Sequence, residues 1–254
     1  MLHYTNNGVG NTIVFIHGFC ENSTCFQRQV FLLKDNYNVV TIDLPGHGKS
    51  PIIPFFTMDD LATEIAKVLD MLMVKSCVMI GHSMGGYATL AFAKKQQRYL
   101  KGFGLLHSTA AADNDERKQK REQAITLINK NGAEIYTKNF IPPLFAASSS
   151  KELILERQMA NAHLSALSLT SCLLSMKNRE ESNVFIAKTE LPIAFIIGKL
   201  DALIPEKDML AQAATVNVSH ITYLEHSAHM GMLEEPDKVC EGVSKFVRYC
   251  FKGV

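Results

Sequence analysis

Short apolar runs recur along the chain, separated by longer stretches in which apolar positions return at helical spacing. The short runs are "NTIVFIH", "YNVVTID", "SCVMIG", "GFGLLH", "PIAFIIG" and "SHITYLE". Most are continuously apolar rather than alternating, the pattern of strands buried on both faces. Between them "STCFQRQVFLLK", "MDDLATEIAKVLDML", "MGGYATLAFAKKQQ", "EKDMLAQAAT" and "PDKVCEGVSKFVRYCF" read as helices. Strand and helix in alternation predict an α/β domain, a mostly parallel sheet with helices on both faces.

One region breaks the alternation. Between "LLHSTAAAD" and "LPIAFIIG" roughly eighty residues carry helical periodicity without a strand-like run, too long for an ordinary crossover. This stretch is expected to be a helical insertion over the carboxyl ends of the strands, where open α/β sheets bind ligands. The expected organisation is a core of residues 1–112 and 188–254 with a helical cap, or lid, over 113–187.

Composition narrows the function. With 254 residues and 47% hydrophobic content the chain supports a sizeable core. A formal net charge of +1 supplies no basic field, so nucleic acid is not an expected partner. The cluster "ERKQKRE" is balanced by acids and reads as a solvated helix face. The opening "MLHYTNNGVGN" lacks the regions of a signal peptide, and no apolar run approaches the roughly 18 residues of a membrane span. A cytoplasmic protein is expected. The six cysteines, Cys20, Cys25, Cys77, Cys172, Cys240 and Cys250, have no metal-ligand spacing and are expected to be reduced, packed thiols.

The stretch "VMIGHSMGGYATLAF" places Ser83 between glycines, with an apolar strand before it and a helix after it. That context is the one a G-x-S-x-G nucleophile requires, a serine on a sharp strand-to-helix turn. A serine hydroxyl is a weak nucleophile, so it needs a base and a group that orients the base. Asp201 follows "PIAFIIG" and His229 follows "SHITYLE", each just beyond a strand end. The order Ser, Asp, His is that of one particular fold.

Five motifs together resemble the α/β-hydrolase superfamily over nearly the whole chain: "FIHGF", "DLPGHGKS", "GHSMGG", "GKLDALIP" and "AHMGMLEEP". The resemblance implies that fold with a helical cap, catalytic Ser83, Asp201 and His229, and an oxyanion hole from the backbone N–H groups of Phe19 and Met84. It implies a small-molecule acyl substrate and no metal or organic cofactor. His107 and Ser108, at the end of a strand facing the presumed pocket, are expected to touch substrate, with a satisfied structural histidine as the equal alternative. His226 and Asp113 are the rival base and acid, while Asp43 is expected to fix its own loop. Because only "MLHYTN" precedes the first long strand, the family's first edge strand is expected to be missing, and Phe26 is expected to replace an aromatic that often follows the His-Gly turn. The expected activity is a serine hydrolase cleaving a small or medium carboxylic ester, thioester or lactone. A carbon–carbon bond hydrolase with the same triad, an acyltransferase and a non-catalytic small-molecule receptor are the alternatives.

Overall fold

The structure is a computed structural model that describes residues 1–252. The six predicted strands are β2 (Thr12–Ile16), β3 (Asn38–Ile42), β4 (Cys77–His82), β5 (Leu100–Leu106), β6 (Ile193–Gly198) and β7 (Ser219–Leu224). Each runs parallel to its neighbour in this set. β2, β4 and β6 are buried at every position, which is why their sequences are apolar without alternation.

The expectation about the edge is corrected. A short strand, β1 (Tyr4–Asn7), pairs antiparallel with β3, Tyr4 lying opposite Ile42. Its residues "YTNN" give no apolar signal because an edge strand meets solvent and takes its stability from the hydrogen bonds of its neighbour.

The sheet order is β1-β3-β2-β4-β5-β6-β7. The chain leaves β2 toward one edge and leaves β4 toward the other. The turns after these two adjacent strands therefore flank a crevice at their carboxyl ends, the usual place for a ligand in an open parallel sheet. Helices α1 (Gln27–Leu33) and α11 (Pro236–Lys252) pack together, as do α2 (Met58–Met71) and α3 (Met84–Lys95). α9 (Glu206–Ala213) lies against β6 and β7, and the short α10 (Gly231–Glu234) precedes α11.

Between β5 and β6 the chain forms only helices: α4 (Asp115–Asn131), α5 (Ala133–Phe140), α6 (Lys151–Ala160), α7 (Ala166–Lys177) and α8 (Asn183–Lys188). Their starts follow from local chemistry. Asn114, Ser150 and Ser165 accept hydrogen bonds from the free N–H groups of the first turns of α4, α6 and α7. Gly132, at φ 88°, breaks α4 from α5. No helix among the described residues is long and apolar enough to cross a membrane.

Candidate active site

β4 ends at His82 and α3 begins at Met84, so the whole turn between them is Ser83, at φ 49° and ψ −116°. A non-glycine residue pays strain in that region, and the surroundings hold it there. The Ser83 N–H donates to the Leu106 carbonyl at 3.0 Å, and the Ser83 carbonyl accepts from Gly86 N–H at 2.9 Å and Ser108 Oγ at 2.8 Å. The glycines on either side permit the close approach. A Cβ on Gly81 would lie 2.3 Å from the Gly85 carbonyl oxygen, and one on Gly85 would lie 2.3 Å from that of Ile16.

The turn after β2 lies directly against this serine, since a Cβ on Gly18 would be 3.2 Å from Ser83 Cβ. His17 shapes the turn. Its Nε2 accepts from Leu44 N–H at 2.8 Å, so the ring proton sits on Nδ1 and is donated to the Gly18 carbonyl at 2.7 Å. Burial pushes the His17 pKa down, partly opposed by Asp43, which keeps the ring in this neutral form. Among the described residues, neither Phe19 N–H nor Met84 N–H donates to a backbone carbonyl outside regular elements. Met84 N–H also belongs to the first turn of α3, whose dipole favours negative charge. Asp43 fixes the adjacent loop, accepting from Ser23 N–H at 2.7 Å and Lys49 N–H at 3.0 Å. Phe26 is fully buried and stacks on Phe15 with centroids 4.9 Å apart.

Asp201 follows β6, and both its carboxylate oxygens are engaged. Oδ1 accepts from Leu203 and Ile204 N–H, each at 2.9 Å, while Oδ2 lies 2.8 Å from His229 Nδ1 and 3.2 Å from His107 Nδ1. Burial alone would raise the Asp201 pKa, but His229 and His107 hold it well below the usual carboxylate range. An ionised carboxylate only accepts, so His229 donates from Nδ1 and leaves Nε2 as its free nitrogen. The contacting atoms of His107, Asp201 and His229 lie within 4.8 Å of one another, close enough to suit a metal. Their arrangement, one anionic oxygen facing two ring nitrogens, is equally that of a carboxylate serving two imidazoles.

The loop carrying His229 is tied down from several sides. His82 Nε2 donates to the His229 carbonyl at 2.9 Å, and His229 N–H donates to Leu144 of the helical insertion at 2.9 Å. Glu234 Oε2 accepts from Ala228 N–H at 2.9 Å and Met230 N–H at 3.2 Å. Its other oxygen accepts from Ala146 N–H at 2.6 Å and Ser149 Oγ at 2.8 Å, so one carboxylate joins the His229 loop to the insertion.

The two residues expected to touch substrate are enclosed in the structure. His107 and Ser108 are both 0% exposed. Ser108 fills the space over Gly86 and donates to the Ser83 carbonyl, whereas His107 is enclosed between Asp201 and the Gly231 N–H. The physical reason is that glycines leave room for both side chains, Gly198 and Gly231 for His107 and Gly86 for Ser108. The rivals are placed elsewhere: His226 is exposed, and Asp113 is held by Arg121 and, at 2.7 Å, by Arg179. Burial would raise the Asp113 pKa, but the two guanidinium groups bring it below its ordinary value.

One buried pair gives no signal in the sequence. Arg157 of α6 donates to Glu21 Oε2 at 2.8 Å and to Thr24 Oγ1 at 3.0 Å, with Arg157 2% exposed and Glu21 0%. Burial, partly countered by Arg157, pushes the Glu21 pKa up to about 6. Cys20 and Cys25 flank this glutamate, and burial pushes both thiols well above their ordinary pKa, suppressing the reactive thiolate.

Comparisons with known proteins bear on the family and the fold. Curated relatives include an uncharacterised hydrolase, YugF of Bacillus subtilis (strain 168), 36% identical over 109 residues, 42% of this chain and 40% of that protein. Matches to this relative and to sn-1-specific diacylglycerol lipases of Danio rerio and Xenopus tropicalis span less than half of those proteins' lengths. 3-Oxoadipate enol-lactonase 1 of Acinetobacter baylyi is 24% identical, with 95% of this chain and 91% of the relative covered. Among solved structures, a thermophilic esterase from Thermogutta terrifontis superposes with a TM-score of 0.93 at 27% identity, covering 98% of this chain and 93% of that one. The family model described as "Alpha/beta hydrolase family" matches residues 13–241, and the chain belongs to that family.

Proposed function

We propose that the protein is a serine hydrolase that cleaves a small or medium carboxylic ester, or a thioester or lactone, through an acyl-enzyme on Ser83. The observation that carries this reading is the buried His229–Asp201 pair, 2.8 Å apart, held through His82 beside a serine on a strained strand-to-helix turn. Ser83 Oγ attacks the carbonyl carbon while His229 Nε2 takes its proton, and Asp201 stabilises the resulting imidazolium. The N–H groups of Phe19 and Met84 bind the oxygen that becomes negative, donors worth roughly 2.7–4 kcal/mol each in such sites. The tetrahedral intermediate collapses by expelling the alcohol, thiol or lactone alkoxide, which takes the proton from His229. Water, deprotonated by His229, then attacks the acyl-enzyme, and the second tetrahedral intermediate releases the acid as Ser83 Oγ takes the proton back from His229. The cycle closes without a metal or organic cofactor.

Residues 113–187 act in this proposal as a cap on a core of 1–112 and 188–254, with a cytoplasmic setting. Support for the cap comes from its contacts: Phe140 and Tyr136 pack on Phe19, and Ala146 binds Glu234. The lactonase and esterase relatives support acyl transfer as the chemistry. The test is turnover of p-nitrophenyl esters of graded acyl length by the wild type and by Ser83→Ala. A loss of at least about 10⁴-fold in kcat with an unchanged circular dichroism spectrum is expected. Retained turnover in purified Ser83→Ala refutes the nucleophile, and tight ester binding without wild-type turnover points to a receptor instead.

A further inference from the structure

His107 is the buried titratable group next to the triad that the proposed mechanism does not use. The ring occupies a slot left open by two glycines: a Cβ on Gly231 would lie 2.4 Å from His107 Nε2, and one on Gly198 would lie 2.6 Å from its Cε1. Gly198 ends the strand leading to Asp201, and Gly231 is two residues beyond His229. The imidazole therefore sits between the loop of the acid and the loop of the base.

Both ring nitrogens face groups whose chemistry fixes the proton. Gly231 N–H is a backbone donor, so His107 Nε2, 3.1 Å away, accepts and carries no hydrogen. A neutral ring must then carry its proton on Nδ1, which faces Asp201 Oδ2 at 3.2 Å. That contact is out of line for a strong hydrogen bond, but Nδ1 has no other acceptor among the described residues. The surrounding groups are Asp201, His229, His82 and Glu234. Burial outweighs the attraction of Asp201 and lowers the His107 pKa, and a cationic ring would set an Nε2–H against the Gly231 N–H.

We propose that His107 is a positioning residue that bridges the acid and base loops, its Nδ1–H oriented on the same Asp201 oxygen that serves His229 and its Nε2 holding the loop of His229 through Gly231. The proposal rests on the serine-hydrolase reading. Two effects follow. The Asp201 carboxylate is held by donors on both oxygens, so it does not rotate as His229 gains and loses a proton. The charge on Oδ2 is also divided between His107 and His229.

Three substitutions separate these effects. His107→Leu removes both contacts, His107→Asn places an amide donor near the Nδ1 position, and His107→Gln places an amide near Nε2. Asn also tolerates the positive φ of this position. With p-nitrophenyl butyrate, His107→Leu is expected to lose roughly tenfold to a hundredfold in kcat with little change in KM, the scale of a small misplacement of reacting groups. Its acidic limb of kcat/KM moves to higher pH, because an Oδ2 relieved of the second N–H attracts the His229 proton more strongly. His107→Asn recovers most of the kcat and returns the limb toward the wild-type position, whereas His107→Gln leaves the limb shifted.

A second measurement needs no turnover and no variant that folds poorly. In wild-type protein labelled with ¹⁵N-histidine, one ring is expected to remain neutral with Nδ1 protonated and Nε2 bare from pH 5 to 9, and its signals are absent from His107→Asn. A ring protonated on Nε2, or one that titrates in that range, overturns the proposal. So does a His107→Leu enzyme with wild-type kcat and acid limb, or equal losses in all three variants with an unmoved limb, the mark of a merely structural role. Retained activity in Ser83→Ala would sink the serine-hydrolase reading while leaving the His107 tautomer as measured, so the two failures are distinguishable.

Discussion

Arg157→Met tests the buried pair that joins the helical insertion to the turn after β2. Methionine keeps most of the side-chain volume but removes the cation. Glu21 then lies at 0% exposure with no counter-charge, and its Oε1 already lacks a hydrogen-bond partner. Removing one partner of such a pair costs about 3–5 kcal/mol because the other is left buried and charged. In a domain of this size that corresponds to a fall in Tm of roughly 10 °C. The effect also has a sign in pH. The folded Glu21 pKa of about 6 exceeds its ordinary 4.5, so its contribution to stability is fully present below the lower value and lost as pH rises through the higher one. Loss of Arg157 raises the folded value further, so the stability gap between variant and wild type is widest near pH 8 and shrinks toward pH 5 as Glu21 takes up a proton. Urea denaturation of both proteins at pH 5, 6, 7 and 8 measures the gap directly. A gap below about 1 kcal/mol at pH 8, the value of an exposed pair, or one that stays constant with pH, would refute the reasoning.

Other substitutions examine the proposed triad and its frame. Asp201→Asn is expected to lower kcat by about 10⁴-fold, since an amide no longer selects the His229 tautomer, as initial rates on p-nitrophenyl butyrate will show. Asp113→Asn is expected to keep turnover yet lose roughly 3 kcal/mol of stability by leaving Arg179 and Arg121 without their carboxylate, measured by denaturant midpoint. Gly81→Ala places a Cβ 2.3 Å from a backbone oxygen that cannot give way, so a loss above about 4 kcal/mol is expected in thermal melts.

How much of this was legible in the sequence depends on how local the cause is. β2, β4 and β6 are covered on both faces, which demands apolar residues at every position, so they stand out. β1 owes its existence to β3, and "YTNN" has nothing of its own to declare it. Ser83 is legible because its turn needs glycines two residues on either side, and that need is written within five residues. The enclosure of His107 and Ser108 is not written beside them, because the space they fill is left open by Gly231 and Gly86, far away in sequence. Glu21 and Arg157 are 136 residues apart, and each alone reads as an ordinary solvated charge.

The helical insertion grips the core where the proposed chemistry happens. Asn22 and Glu21, just past Phe19, bind Asn161 and Arg157, while Glu234 holds the His229 loop with one oxygen and Ala146 and Ser149 with the other. The Ser83 turn is different, because its backbone bonds run to Leu106 and Gly86 and its carbonyl is braced by Ser108, all within the core. A shift of the segment from Ala146 to Asn161 would thus move the turn after β2 and the His229 loop while Ser83 stayed fixed. In the proposed mechanism, that makes the insertion more than a cover over the substrate. Substitutions within it reach kcat through the spacing of groups around Ser83, and KM through the pocket they enclose.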